Sequence, residues 1–75
     1  MVKIKGSWSY IDVYDGDRVV RIQGEMVVGG FVAYKDSMKN WLVPEDVPMS
    51  EEEKQDIIGK VIEKTKDSHM VISFE

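Results

Sequence analysis

Two runs of alternating polar and apolar residues, joined by an aspartate and a glycine, constrain the fold most. The runs "SWSYIDVY" and "RVVRIQ" alternate with the two-residue period of a β-strand. An Asp-Gly pair between such runs is typical of a type I′ hairpin turn, because both central residues of that turn need positive φ. A loop formed by Asp15-Gly16 places Ile11 opposite Val20. The apolar residues of this predicted hairpin then share one face: Ile11, Val13, Val20 and Ile22.

The opposite face of the predicted hairpin is half apolar. It carries aromatic and apolar residues among charges: Trp8, Tyr10, Tyr14 and Val19. Exposed apolar patches are typical of interaction surfaces, so this face is a candidate homodimer interface. Ahead of the hairpin, "VKIK" (residues 2–5) is predicted to be an edge strand, where lysines discourage pairing with another chain.

The stretch "EMVVGGFVAY" contains a second hairpin candidate around Gly29-Gly30. Pairing Val28 with Phe31 sorts the apolar residues onto two faces. One face has Met26, Val28, Phe31 and Ala33, and the other has Val27, Val32 and Tyr34. Since both faces are apolar, this segment is predicted to lie at the centre of the sheet. A single bulged strand through the two glycines is the alternative.

A capped amphipathic helix is the clearest element of the sequence. Ser50, followed three residues later by Glu53, forms a capping-box pattern, and Glu51 and Glu52 suit the positive end of the helix macrodipole. The apolar residues then recur with a period near 3.6: Ile57, Ile58, Val61, Ile62 and Thr65. Gly59 lies inside this helix, where it is expected to let a strand backbone come close. "HMVISFE" follows as the last strand, with Met70, Ile72 and Phe74 on one face.

These patterns predict an α+β fold in a single domain, residues 1–75. We expect a small antiparallel sheet of about four to six strands, with one amphipathic helix packed on one face and a C-terminal strand after the helix. A chain of 75 residues buries only about 60% of its unfolded-state surface. The expected free energy of unfolding is therefore roughly 3–5 kcal/mol.

The residues typical of catalytic and metal sites are missing from the sequence pattern. His69 is the only histidine and the chain has no cysteine, so a nucleophile–base arrangement has few candidates. Asp12, Asp15 and Asp17 surround the first predicted turn, but they lack the calcium-loop pattern that ends in glutamate. The glycines do not form a phosphate-binding loop. We therefore expect no enzyme activity, no catalytic residues, no cofactor and no bound metal.

The net charge of −4 disfavours nucleic acids and anionic membranes as main ligands, because both bind clustered lysine and arginine. The charge is compatible with steering toward a basic partner, and equally with simple solubility. The N-terminal residues lack the apolar stretch of a signal peptide, and no apolar run approaches the roughly 20 residues that cross a bilayer. With no cysteine, the chain is expected to be cytoplasmic.

The segment "SMKNWLVPEDVPMSEEEKQDII" (residues 37–58) combines a tryptophan with an acidic, proline-punctuated loop. Aromatic residues provide contact area and charges provide steering in protein recognition, and proline lowers the entropy lost on binding. The sequence therefore predicts a partner-binding surface formed by Trp41, Glu45, Asp46, Glu51, Glu52 and Asp56. For Trp41 two interpretations stay open, a lid packed on the core or an aromatic residue offered to a partner.

The order of these motifs resembles the immunity protein 74 family of bacterial polymorphic toxin systems. The similarity runs from Gly24 to Glu75 and rests on Gly24-Glu25, Gly30-Phe31, Asp36-Ser37-Met38, Trp41, Pro44, Pro48-Met49, Ser50, Lys54, Ile57-Ile58 and the closing Val71-Ile72-Ser73-Phe74. The chain departs from the family pattern just after the tryptophan, where Leu42 and Val43 stand in place of an acidic residue and a proline.

The resemblance implies an antitoxin-like inhibitor that binds a cognate toxin domain and blocks it by occlusion. It implies a protein partner, basic if the toxin acts on nucleic acid, and names no catalytic residues. The alternative function is a small regulatory or structural domain that acts through a homodimer interface on the sheet.

Overall fold

The computed structural model describes residues 2–75, which form one curled five-stranded sheet, a single α-helix and a strand after the helix. The strands lie side by side in chain order, β1 to β5. The elements are β1 (Lys3–Gly6), β2 (Tyr10–Asp15), β3 (Arg18–Val27), β4 (Gly30–Ala33), a 3₁₀ turn (Lys35–Ser37), α1 (Glu51–Thr65) and β5 (Val71–Phe74). The predicted α+β class is confirmed.

The first hairpin has the predicted core face but a different register. Val13 pairs with Val20 and the two-residue loop is Gly16-Asp17, so the predicted loop is wrong by one residue and the pairing by two. Because side chains alternate with period two, a two-residue shift leaves the same residues on the same face, and the apolar pattern cannot distinguish the two registers. Gly16 has a φ of +62°, as at the first central position of a type II′ turn.

The second hairpin is confirmed, and the alternative of one bulged strand is wrong. Its predicted pairing is again shifted by two residues, because Met26 pairs with Phe31 and the turn is formed by Val28 and Gly29. The predicted position of Val28 in a strand, paired with Phe31, is wrong, since this residue lies in the turn and its side chain is fully exposed. Gly24 fixes the observed register, because a Cβ there would collide with the Val32 carbonyl oxygen and the Phe31 ring.

The sheet is mixed, which the prediction of an antiparallel sheet missed. β5 pairs with β4 in parallel, with Phe31 opposite Ile72. The 15 residues of α1 carry the chain back along the sheet by about 22 Å, so β5 starts at the same end as β4. Thr65, at the end of the helix, covers the outer edge of β5: its Oγ1 accepts a hydrogen bond from the Ile72 N–H at 3.2 Å.

The predicted capping box of α1 is confirmed. The Ser50 Oγ accepts a hydrogen bond from the Glu53 N–H (3.1 Å), and the Glu53 carboxylate accepts one from the Ser50 N–H (2.9 Å). Ile57, Val61 and Thr65 of the predicted stripe are buried. The expectation for Gly59 is wrong, because a Cβ at this position would meet no atom within 4 Å.

The hydrophobic core lies between α1 and one face of the curled sheet, and the long loop before the helix closes it. The main sheet residues of the core are Ile11, Val13, Val20, Ile22, Phe31 and Ile72, the helix adds Ile57 and Val61, and the loop adds Met38, Trp41 and Met49. Within residues 2–75, α1 is too short and too polar to cross a membrane.

Candidate partner-binding surfaces

The loop that connects the 3₁₀ turn to α1 is attached along the free edge of β3. Val19 exchanges backbone hydrogen bonds with this loop: its N–H donates to the Val43 carbonyl (2.9 Å), and its carbonyl accepts from the Leu42 N–H (2.7 Å). The Trp41 N–H donates to the Val47 carbonyl at 2.8 Å, which closes the loop on itself. These bonds give the acidic segment a defined shape on the side of the sheet.

Trp41 packs into the core, with 3% of its surface exposed. The Arg18 guanidinium carbon lies 4.3 Å from the centre of the indole, within the range of a cation–π contact. The same guanidinium donates a 2.8 Å hydrogen bond to the Glu53 carboxylate, which joins the start of β3 to the first turn of α1. Of the two interpretations of Trp41, the structure supports the one in which the indole packs as a lid on the core. The indole therefore presents almost no surface area to a partner.

The five predicted acidic residues all point outward at the loop tip and along the first two turns of α1. We call them the acidic surface: Glu45, Asp46, Glu51, Glu52 and Asp56, all exposed. Glu51 lies 3.5 Å from the Lys54 ammonium and Asp56 lies 2.9 Å from that of Lys60. Among residues 2–75, the other three have no cation within 4 Å.

Two ionisable groups fix the helix that carries part of the acidic surface. The N–H of Ser50 lowers the pKa of the Glu53 carboxyl, and the nearby Arg18 charge adds to this effect. The Lys60 ammonium lies 3.0 Å from the Asp15 carboxylate, and its pKa is raised by Asp56 and then by Asp15. Lys60 thus ties the middle of α1 to the end of β2.

The predicted homodimer face of the sheet is largely covered by its own cations. The Arg21 guanidinium lies 4.0 Å from the ring centre of Tyr10, and the Lys5 ammonium lies 5.5 Å from that of Tyr14. Arg21 also forms a two-point ion pair with Asp12, at 2.8 and 3.0 Å. The tyrosines are therefore half-buried, and Asp12 is taken up by an ion pair within the sheet.

Trp8 does not lie on that face. It lies in the bend between β1 and β2, and 81% of its surface is exposed. The bend itself is held against β3, because the Met26 N–H donates to the Trp8 carbonyl (3.3 Å) and the Gly24 N–H donates to the Ser9 carbonyl (2.9 Å). An ordered backbone therefore presents a nearly bare indole to solvent.

A groove of about 520 Å³ opens beside Trp8, at the end of the sheet away from the acidic surface. We call it the apolar groove and define it by its apolar lining: Trp8, Ile11, Met26, Phe31 and Met70. Met70, predicted on the same face of the last strand as Ile72 and Phe74, lies just before β5 instead and is 41% exposed. This groove was not predicted from the sequence, since its walls come from three distant parts of the chain. One local signal was the placement of Trp8 between two serines, outside any apolar run.

A model of the immunity protein 74 family matches residues 3–75. The chain belongs to the immunity protein 74 family. The match extends the resemblance at Gly24–Glu75 to the first hairpin and to Trp8. No curated protein and no solved structure matches the chain.

The departure from the immunity protein 74 pattern at Leu42 and Val43 falls where the loop is held by main-chain atoms. Both residues bond to Val19 through their backbone N–H groups, at 2.7 and 3.1 Å, and their side chains are partly exposed. Because proline has no N–H to donate, a proline at either position would lose the bond made there, so the observed attachment requires a residue other than proline at both positions.

The described part of the chain, residues 2–75, contains no cluster of three histidine, cysteine, aspartate or glutamate residues that could hold a metal ion. His69 is exposed in the connection between α1 and β5. Asp12 and Asp15, at the first hairpin, are engaged by Arg21 and Lys60.

Proposed function

We propose that this protein is a bacterial immunity protein that binds the toxin domain of its own polymorphic toxin system in the cytoplasm and neutralises it by occlusion, without catalysis. Membership of the immunity protein 74 family over residues 3–75 carries this proposal. The molecule's outward-facing carboxylates and the net charge of −4 support a basic partner, because opposite charge accelerates association.

The acidic surface is the part of the molecule that we assign to steering the toxin. Glu45, Asp46 and Glu52 are exposed, and the loop that carries the first two is held in shape by backbone bonds to β3. A shaped loop loses less entropy on binding than a mobile one. In this proposal Trp41 does not contact the toxin but holds the loop against the core. Glu51 and Asp56 add negative charge at the start of the helix.

The direct test is protection of cells against the toxin encoded beside this gene. Cells that express the toxin domain alone should die, and cells that also express this protein should survive. The two purified proteins should form a complex. Equal killing with and without this protein, or two separate peaks in size-exclusion chromatography, would refute the proposal.

The role of the acidic surface is tested by removing its unpaired charges. The triple variant E45Q/D46N/E52Q should lower the association rate constant by about tenfold at low salt and lose most of its salt dependence. A matched variant, E63Q/D67N/E75Q, removes the same net charge from the last turn of α1, the connection between α1 and β5, and the C-terminus. Equal association rates for the two variants would show that overall charge, and not this surface, steers the toxin.

A further inference from the structure

The two most exposed large apolar side chains among residues 2–75 lie at the end of the sheet that holds the apolar groove. Trp8 and Val28 are 81% and 105% exposed, and three further side chains at this end are partly exposed, Val27, Met70 and Val71. The β3–β4 turn and the start of β5 bring Val27 and Val71 to this end of the sheet, since Gly30 pairs with both. Because side chains alternate along a strand, Val27 and Val71 lie on the sheet face opposite to Met26 and Phe31, so the exposed apolar side chains of the groove itself are those of Trp8 and Met70. Exposed apolar side chains beside a groove are typical of interaction sites.

We propose that Trp8 and the apolar groove anchor the toxin domain, which inserts an apolar side chain between Trp8, Met26 and Met70. This inference rests on the proposed function and assigns the tightly held part of the interface to a different end of the molecule from the acidic surface. Buried Trp at the centre of an interface commonly dominates binding energy, and methionine adapts to the shape of an inserted group. Trp41 cannot supply that anchor, because its indole is already covered by Arg18.

Two observations favour the toxin over a second copy of this chain as the occupant. Each copy carries a net charge of −4, so two copies repel each other while a basic partner is attracted. A permanent dimer interface buries roughly 1,000 Å² or more per copy, about a fifth of the 5009 Å² surface of this molecule. One exposed indole offers at most about 250 Å², and its neighbours are a methionine and small valines, so this end is too small for such a dimer.

The two ends of the molecule lie within the span of one interface. Arg18, beneath the acidic surface, and Met26, in the groove wall, are eight residues apart on β3, about 26 Å at the usual rise per residue. A standard interface of roughly 800 Å² per partner is about 30 Å across, and the longest dimension of the molecule is 33 Å. We therefore expect the acidic surface to set the association rate and the groove to set the dissociation rate.

The experiment measures both rate constants with the toxin domain encoded by the neighbouring gene, separated from the complex in denaturant and refolded. Trp8→Ala should raise the dissociation rate constant at least 30-fold and leave the association rate constant unchanged. Met70→Glu, which places a charge in the groove wall, should act in the same direction. Ile62→Ala is the matched control, because it truncates an apolar side chain that is 45% exposed on the far part of α1.

Each outcome of this experiment decides between the proposals. If both groove variants dissociate from the toxin at the wild-type rate while E45Q/D46N/E52Q still associates slowly, the groove is not the anchor. The proposed immunity function is unaffected by that result. A wild-type protein that neither binds nor protects would refute the immunity function itself. A wild-type dimer in light scattering that becomes a monomer in Trp8→Ala would assign the groove to a second copy and overturn this inference. Thermal unfolding of each variant confirms that the fold is intact.

Discussion

The two tryptophans of this protein occupy opposite situations at opposite ends of the sheet. Trp41 belongs to a polar, acidic loop and yet is 3% exposed, whereas Trp8 lies beside a core strand and is 81% exposed. The two indoles differ in what packs over them. Arg18 and the loop itself close over Trp41, and no comparable layer closes over Trp8 among residues 2–75. One indole therefore contributes to folding, and the other is free to contribute to binding.

The largest expected effect of a single substitution is that of Trp41→Ala. Loss of this buried indole should lower the free energy of unfolding by about 3–5 kcal/mol, which is close to the whole stability expected for a chain of this size. Urea denaturation followed by circular dichroism measures the change. Trp41→Phe, which keeps a ring against Arg18, should retain part of the stability. An unchanged urea midpoint for Trp41→Ala would break the comparison, since Trp41 would then not be a core residue.

The next effect concerns the helix start at the same end of the molecule. Ser50→Ala removes one half of the capping box and should lower the free energy of unfolding by about 1 kcal/mol. Ser73→Ala, on the exposed face of β5, is the matched control and should change it by less than about 0.5 kcal/mol. Equal effects for the two serines would mean that the cap does not stabilise this helix.

Glu53 should make the stability depend on pH in the acid range. Its pKa is lowered in the folded protein, first by the Ser50 N–H, so the unfolded chain binds the proton more readily. The stabilisation is therefore complete above the ordinary glutamate pKa and is lost as the pH falls through the lowered value of the folded state. Unfolding free energies measured between neutral pH and strong acid should decline less steeply for Glu53→Gln than for wild type. Identical slopes would contradict the assignment.

Gly59→Ala should stabilise the protein without affecting either tryptophan. A Cβ at this position meets nothing within 4 Å, and alanine favours a helix interior over glycine by up to about 1 kcal/mol. Thermal unfolding should therefore occur at a higher temperature, with toxin binding unchanged. A loss of stability would show that the space beside Gly59 is not open in solution.

The smallest effect on stability is expected for Trp8→Ala. Because most of the side chain is already in water, the free energy of unfolding should change by less than about 0.5 kcal/mol. Chemical denaturation of Trp8→Ala and Trp41→Ala under the same conditions compares the two losses in unfolding free energy directly. A loss as large as that of Trp41→Ala would show that Trp8 is part of the core and not free for a partner.

The parts of the fold that the sequence predicted are those encoded over a few residues. The capping box of Ser50 and Glu53 depends on residues three positions apart, and the core face of the first hairpin depends on the two-residue period of Ile11 and Val13. The sequence predicted a partner-binding surface of Trp41 and five acidic residues; the five acidic residues are exposed, whereas Trp41 is buried. Its role as a binding surface remains a proposal, because exposure alone does not identify a partner.

The sequence by itself determined the element types, the buried face of the first hairpin and the family of the protein. Only the tertiary structure decided the strand registers, the parallel pairing of β5, the burial of Trp41 and the opening of the apolar groove. The physical reason is the range of the contacts. A two-residue slip leaves every side chain on the same face, so the register depends on long-range contacts such as that between Gly24 and Phe31. The burial of Trp41 likewise depends on Arg18, which packs over the indole from another part of the chain.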